Sequence, residues 1–270
     1  MIRVGTSGFS FRGWIGNVYP PGTKSHQMFS YYVERLGFKC LELNYTFYHQ
    51  PEARTMGALL RNSPEDFRFT AKAHRSITHQ APCGVSRAEF DAACRRYLEG
   101  IEPLVEAGRL GCILAQFPHS FQASRTNALY LELLAERFRG FEVVIEFRNQ
   151  SWAREGHFEW LSRLKLGVCA VDEPQVGGLM AFVPHFTSKI AYFRLHGRNE
   201  KWFSDPNGRY DYLYSREELA GFIPHLLDAE QRGLETYIMF NNCHAGAAAR
   251  NAAMMRELLG SGDTAQPQMF

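Results

Sequence analysis

The sequence predicts a single (β/α)8 barrel, and two observations carry that prediction. Eight short apolar runs recur along the chain, and seven of them lead into a stretch with helical periodicity. Eight such units within 270 residues suit one closed barrel of about 250 residues better than an open doubly wound sheet.

In chain order, the first strand covers 2–6 and is followed by a loop rich in glycine and aromatic residues, then a helix over 27–36. The second strand, 40–44, leads to a helix over 51–61, and the third, 67–72, to a helix over 87–106. The fourth, 110–116, precedes a helix over 125–138, and the fifth, 143–147, one over 152–164. The sixth strand is 168–172, and its connection, 173–189, is irregular: it carries Gly177, Gly178 and Pro184 and no convincing helical pattern. The seventh, 190–196, leads to a helix over 216–232, and the eighth, 236–240, to one over 247–259. No linker or repeat divides the chain, so one domain is expected over 1–260, with a flexible tail over 261–270.

Composition excludes several classes. Apolar residues make up 45% and charged residues 21%, with 21 Phe and 12 Tyr, which is too rich a core for a disordered chain. A net charge of +2 lacks the strong basic bias of a dedicated nucleic-acid binder. The six cysteines are scattered without a C-x-x-C pair, which fits a reducing compartment and neither a disulfide framework nor a zinc site. Met1-Ile2-Arg3-Val4-Gly5 enters a strand at once and no run reaches membrane-spanning length, so a cytoplasmic protein without a membrane partner is expected.

Function is sought where polar residues interrupt the strands. Strands covered by helices read as nearly continuous Val, Ile and Leu, and side chains two apart share a face. The interruptions have a phase: Glu42 with Asn44, Lys72 with His74, Glu146 with Arg148, and Arg194 with His196. Gln116 and Asp172 end the fourth and sixth strands, and Asn241 and Asn242 follow the eighth. Because the helix-covered face must be apolar, this set faces the barrel axis at the carboxyl ends of the strands, where barrel enzymes place their chemistry. Unpaired buried charge is very costly, so the charges must pair together or meet a ligand.

The order of motifs resembles a known family. Gly5-Thr6-Ser7-Gly8-Phe9-Ser10-Phe11 with Trp14, Glu42-Leu43-Asn44-Tyr45-Thr46-Phe47-Tyr48, Phe69-Thr70-Ala71-Lys72 with Thr78-His79, and Gln116-Phe117-Pro118 come first. Glu146-Phe147-Arg148 with Ser151-Trp152, Arg194-Leu195-His196-Gly197, Tyr210-Asp211-Tyr212-Leu213-Tyr214-Ser215 and Phe240-Asn241-Asn242 follow. Together they resemble the domain of unknown function family 72, the YecE-like proteins, over essentially the whole chain. The resemblance implies a TIM-type barrel and no particular reaction. The chain departs from the pattern at Phe9, where Trp is common, and at Cys243, where His is common; His244 comes one place later.

Candidate catalytic residues are Glu42, Lys72, Glu146, Asp172 and His196; candidate ligand-binding residues are Trp14, Asn44, Tyr48, His74, Gln116, Arg148, Arg194, Asn241 and Asn242. Counting Lys72, Arg148, Arg194 and Arg198 against Glu42, Glu146 and Asp172 leaves one cation over, which favours a small anionic partner, phosphorylated or carboxylated, held by arginine forks. The turn 241–247 offers a second anion position where the eighth strand enters its helix. An aromatic rim (Phe9, Phe11, Trp14, Tyr45, Phe47, Tyr48, Trp152, Trp202, Tyr210, Tyr212 and Tyr214) could stack on sugars or bases or simply pack the loops. No cofactor is predicted. A divalent metal at Glu42, Glu146, Asp172 and His196 is the lesser reading, because Lys72, Arg148 and Arg194 would repel it. The expected function is therefore an enzyme acting on a small anion by acid–base chemistry of the hydrolase, lyase or isomerase kind. The alternative is a nucleic-acid-binding or nucleic-acid-processing barrel, and a plugging salt-bridge network is the reading without a ligand.

Overall fold

The computed structural model describes residues 1–205 and 208–260; the expected tail over 261–270 lies outside the described residues. Eight parallel strands pair in sequence order and close on themselves: β1 (Ile2–Ser7), β2 (Cys40–Leu43), β3 (Arg68–Lys72), β4 (Leu110–Gln116), β5 (Val143–Glu146), β6 (Leu166–Asp172), β7 (Ile190–Leu195) and β8 (Glu235–Phe240). Closure is made by β1 against β8, with Ile2 opposite Thr236 and Thr6 opposite Phe240. The chain is thus a (β/α)8 barrel, as its pattern predicts.

The outer layer holds α1 (Ser25–Glu34), α2 (Ala53–Arg61), α3 (Arg87–Glu106), α4 (Arg125–Arg137), α5 (Glu155–Arg163), α6 (Arg216–Ala220), α7 (Ile223–Gln231) and α8 (Ala247–Leu258). Serine side chains start three of them: Ser86 and Ser215 form capping boxes with Glu89 and Glu218, and Ser124 accepts from the Asn127 N–H. Between β6 and β7 no helix occurs among the described residues, as 173–189 suggested.

The helix expected over 216–232 is two helices. Pro224 stands in the first turn of α7, where its missing N–H costs nothing; inside a continuous helix it would orphan the carbonyl four residues back and collide with it. The chain therefore breaks at Gly221-Phe222. No helix among the described residues is long and apolar enough to cross a membrane.

Register fixes which side chains enter the barrel. Paired residues of parallel strands point the same way, so the rows Ser7–Glu42, Gln116–Glu146, Val171–Arg194 and Arg194–Met239 share the interior. Leu41, Leu43, Ile113, Ile145, Phe193, Leu195, Ile238 and Phe240 point outward and are buried under the helices. The interior floor is aromatic and tight. Tyr237 lies so close to β4 that any Cβ at Gly111 would fall 2.1 Å from its hydroxyl oxygen, which is why glycine occupies that place. Above this floor Tyr192 links Thr70 (2.7 Å) and Glu42 (2.8 Å), and the charged layer begins.

Candidate active site

Arg194 stands at the centre. Its Nε and Nη2 donate to the two oxygens of Glu42 at 2.9 and 2.7 Å, a bidentate fork, while Nη1 donates to Glu146 Oε2 at 2.6 Å and Nη2 reaches Ser7 Oγ at 3.3 Å. All of these groups are fully buried. Burial pushes the Glu146 carboxyl up, and the Arg194 and Arg148 guanidiniums more than offset it, holding Glu146 well below the usual carboxylate range.

Arg148 forms the upper storey. Its Nη1 donates to Glu173 Oε2 at 2.6 Å, and Nη2 lies 3.1 Å from His196 Nε2. Its Nε sits 2.7 Å from Glu146 Oε1, near enough for an ion pair but without the alignment of a hydrogen bond. One N–H on each terminal nitrogen remains to be used. Trp202 covers the guanidinium, 5.4 Å from the ring centroid, and Tyr210 packs against Trp202 and His196.

His196 is buried and neutral: burial, and then the charge of Arg148, push its pKa well below the ordinary histidine value. Nδ1 is 2.9 Å from the Asn241 amide, and Nε2 lies between Glu146 Oε1 (3.2 Å) and Arg148 Nη2. The Asn241 Nδ2 group only donates, so Nδ1 accepts from it and the proton of the neutral ring sits on Nε2, which donates to Glu146 Oε1. The amide and carboxylate partners thus fix one neutral tautomer and the ring's orientation.

Lys72 differs from its neighbours. Its Nζ rests 4.2 Å from the Phe47 ring centroid, and it has no hydrogen-bond or ion-pair partner among the described residues. The acceptors it would seek are taken, since all four oxygens of Glu42 and Glu146 face Arg194, Tyr192, Arg148 or His196. Burial first, and then the charge of Arg194, bring its pKa down to about 7. His79, edge-on to Phe47, is pushed down to about 4 by burial and by Lys72.

Glu173, which the sequence reading did not select, completes the layer. Its Oε1 accepts from the Met180 N–H at 3.1 Å and its Oε2 from Arg148. Burial outweighs Arg148 and raises its pKa to about 7. Asp172, selected instead, lies on the opposite face, because its register partner is the outward Leu195. It accepts from Arg198 at 2.9 and 3.0 Å and from the Tyr214 hydroxyl at 2.6 Å, outside the barrel. The count of charges changes accordingly. Asp172 and Arg198 leave as a pair, Glu173 enters, and the interior holds three carboxylates against Arg194, Arg148 and Lys72.

Glu173 carries a pH signature. A carboxyl raised from about 4.3 in the unfolded chain binds more protons when folded, so its contribution falls as pH rises from about 4.3 to 7 and stays low above. We expect the stability difference between wild type and Glu173→Gln to change across that window in urea titrations. Parallel pH profiles would refute the raised affinity.

The other selected residues divide by position. Gln116 is level with Glu146 and donates to the Phe117 carbonyl, and Asn241 meets His196, so both belong to the layer. Asn242 points the other way and binds Asn251 and the Tyr212 carbonyl, pinning the loop after β7. That loop starts at Gly197, whose φ is +94° and where any Cβ would fall 2.6 Å from the Tyr212 side chain, so no larger residue fits. Trp14 is wholly buried and donates to the Cys243 carbonyl, so it packs a loop and offers no stacking face. His74 bonds Gln50 and Ser76, and Tyr48 is largely exposed; neither joins the charged layer. Asn44 follows β2 directly, its Oδ1 buried and without a hydrogen-bond partner among the described residues. The turn after β8 places Gly246 at the start of α8 with no side-chain cap, and His244 faces Asp211 at 3.8 Å. Among the described residues no three His, Cys, Asp or Glu side chains converge as a metal would require.

Comparison with known proteins agrees with the motif order. The model of the family described as "Protein of unknown function DUF72" matches residues 3–269. The UPF0759 protein YunF of Bacillus subtilis (strain 168) is 32% identical, covering 96% of this chain and 95% of its own. A DUF72 family protein of Thermotoga maritima MSB8 is 44% identical with a TM-score of 0.90, over 96% of this chain and 99% of that one. Another, from Enterococcus faecalis V583, is 26% identical with a TM-score of 0.83 over 96% of each chain. Barrel, motif order and relatives agree: the chain belongs to the DUF72 family.

Proposed function

We propose that the chain is an enzyme that binds a small phosphorylated or carboxylated compound at the mouth of the barrel and moves protons on it. The observation that carries this reading is the layering of charge. Glu42 and Glu146 are wholly buried and saturated below, whereas Lys72 and Arg148 keep 7% and 8% exposure at the mouth. An incoming molecule therefore meets an amine and two unused guanidinium N–H groups, which suit an anion. Lys72 and Glu173, both near 7, are matched to proton transfer at neutral pH, since an acid–base group works best when its pKa lies near the working pH. His196, neutral beneath them, hydrogen-bonds Glu146 and so holds the carboxylate layer in place.

Thermal shift with phosphate, sugar phosphates and short carboxylates at low salt tests the binding step. The reading expects a melting temperature that climbs with concentration for at least one of these and a response weakened at least tenfold in Arg148→Lys, which keeps the charge but loses the fork. No response to any small anion at millimolar concentration, together with salt-sensitive binding of oligonucleotides, would replace it with the nucleic-acid reading.

A further inference from the structure

We infer that Lys72 reacts through its amine with the carbonyl carbon of a small anionic oxo compound, such as a 2-oxo acid or a ketone phosphate, to form a Schiff base. This deepens the proposed function and rests on it for the anion, which Arg148 would hold. Three observations lead here. The sequence has six lysines, of which Lys24, Lys39, Lys165, Lys189 and Lys201 are exposed and Lys72 alone is buried. The acceptors that would fix it as an ammonium are occupied, Glu42 by Arg194 and Tyr192, Glu146 by Arg194, Arg148 and His196. Its Nζ lies on the face of Phe47 at the end of β3, two residues along the strand from the inward Thr70, so an apolar ring rather than an acceptor packs against the amine.

A lysine kept only for its charge is served by a carboxylate partner; one kept for its lone pair is served by the loss of that partner. At pH 7 about half of the Lys72 amine is neutral, a fraction roughly a thousand times that of an ordinary lysine near 10.4. In the step proposed, the Nζ lone pair bonds to the carbonyl carbon and the C=O π pair moves to oxygen. One Nζ proton passes to that oxygen, giving a carbinolamine. The second Nζ proton leaves with the hydroxyl as water, and the N=C bond forms. Amine and carbonyl give imine and water, with no change of oxidation state. One further proton on the imine nitrogen yields the iminium, which withdraws electrons from the adjacent carbon. The cationic imine is favoured beside Glu42 and Glu146, whose charge acts on Lys72 without bonding to it.

The test uses the full chain with pyruvate or dihydroxyacetone phosphate and sodium cyanoborohydride at pH 7, which reduces the imine to a stable secondary amine, followed by peptide mass spectrometry. The expected result is modification of Lys72 at least tenfold faster than of any exposed lysine, lost in Lys72→Met and retained in Glu173→Gln at a reduced rate. Thermal shift with pyruvate and with lactate, which lacks the carbonyl, runs in parallel. Stabilisation by both without a trapped adduct, or labelling spread evenly over the six lysines, would overturn the Schiff base and leave the anion-binding reading standing. Neither stabilisation nor adduct with any probe would remove both.

Discussion

Replacing Arg194 with Met is expected to cost on the order of 3–5 kcal/mol of folding free energy at pH 7, read from urea unfolding midpoints. The side chain packs as well as Arg in volume, so the loss comes from what remains. Glu42 is fully buried and would keep one donor, Tyr192, while Glu146 would keep Arg148 and His196. A carboxylate stripped of its partner in a dry interior costs far more than the intact pair contributes. Two controls sharpen the test. Adding Glu42→Gln to the Arg194→Met background should recover a good part of the loss, because the two residues share one network. The deficit should also shrink in acid, where a stranded buried carboxylate can take up a proton. A loss below about 1 kcal/mol would mean that the layer is not a set of mutually dependent charges.

Lys72→Met is expected to do the opposite. At pH 6 it should stabilise the fold by on the order of 3 kcal/mol while abolishing any turnover or adduct formation at the mouth. The amine is held near 7 when folded and near 10.4 when unfolded, so folding at low pH forces a charge into a site that disfavours it. Below about pH 7 the amine is protonated in both states and the full penalty is present. Between about 7 and 10.4 the unfolded chain binds the extra proton, and wild-type stability rises with pH relative to the variant. Above that range the amine is neutral in both states and what is left is packing. A difference between the two proteins that stays flat from pH 6 to 10 would show that Lys72 has an ordinary affinity for its proton. Glu146→Gln is a poorer probe of chemistry, because Glu146 is shared by three partners and its removal disturbs the fold as well.

Much of this was legible in the sequence, and the parts that were not share a cause. Strands with one polar face announce their phase: Glu42 between Leu41 and Leu43, or Arg194 between Phe193 and Leu195, has one reading, and the structure follows it. β6 reads Leu-Gly-Val-Cys-Ala-Val before Asp172, apolar on both faces, so nothing within it tells which of Asp172 and Glu173 turns inward. The pairing with β7 decides, and pairing is a relation between distant segments. Asn241 and Asn242 pose the same question after β8, and the sequence reading took both. The aromatic rim failed differently. Trp14 and Trp152 occur in motifs beside the site, yet both are buried with their indole N–H groups bonded to backbone carbonyls, and Phe47, Trp202 and Tyr210 are the rings that flank the charged layer. Type of residue gives no warning of this, because large rings serve packing and recognition equally well.

The segment between β6 and β7, where the outer ring lacks a helix, holds one half of Glu173's environment: the Met180 N–H that its Oε1 accepts from belongs to that segment, and Arg148 supplies the other half. Proton affinity and loop position are thereby linked, and linkage runs both ways. Drawing the segment outward would admit water and bring Glu173 back toward an ordinary acid; protonating Glu173 would in turn weaken its hold on Met180. A molecule arriving at the mouth would thus be able to set the strength of the acid it meets by the way it seats against that loop.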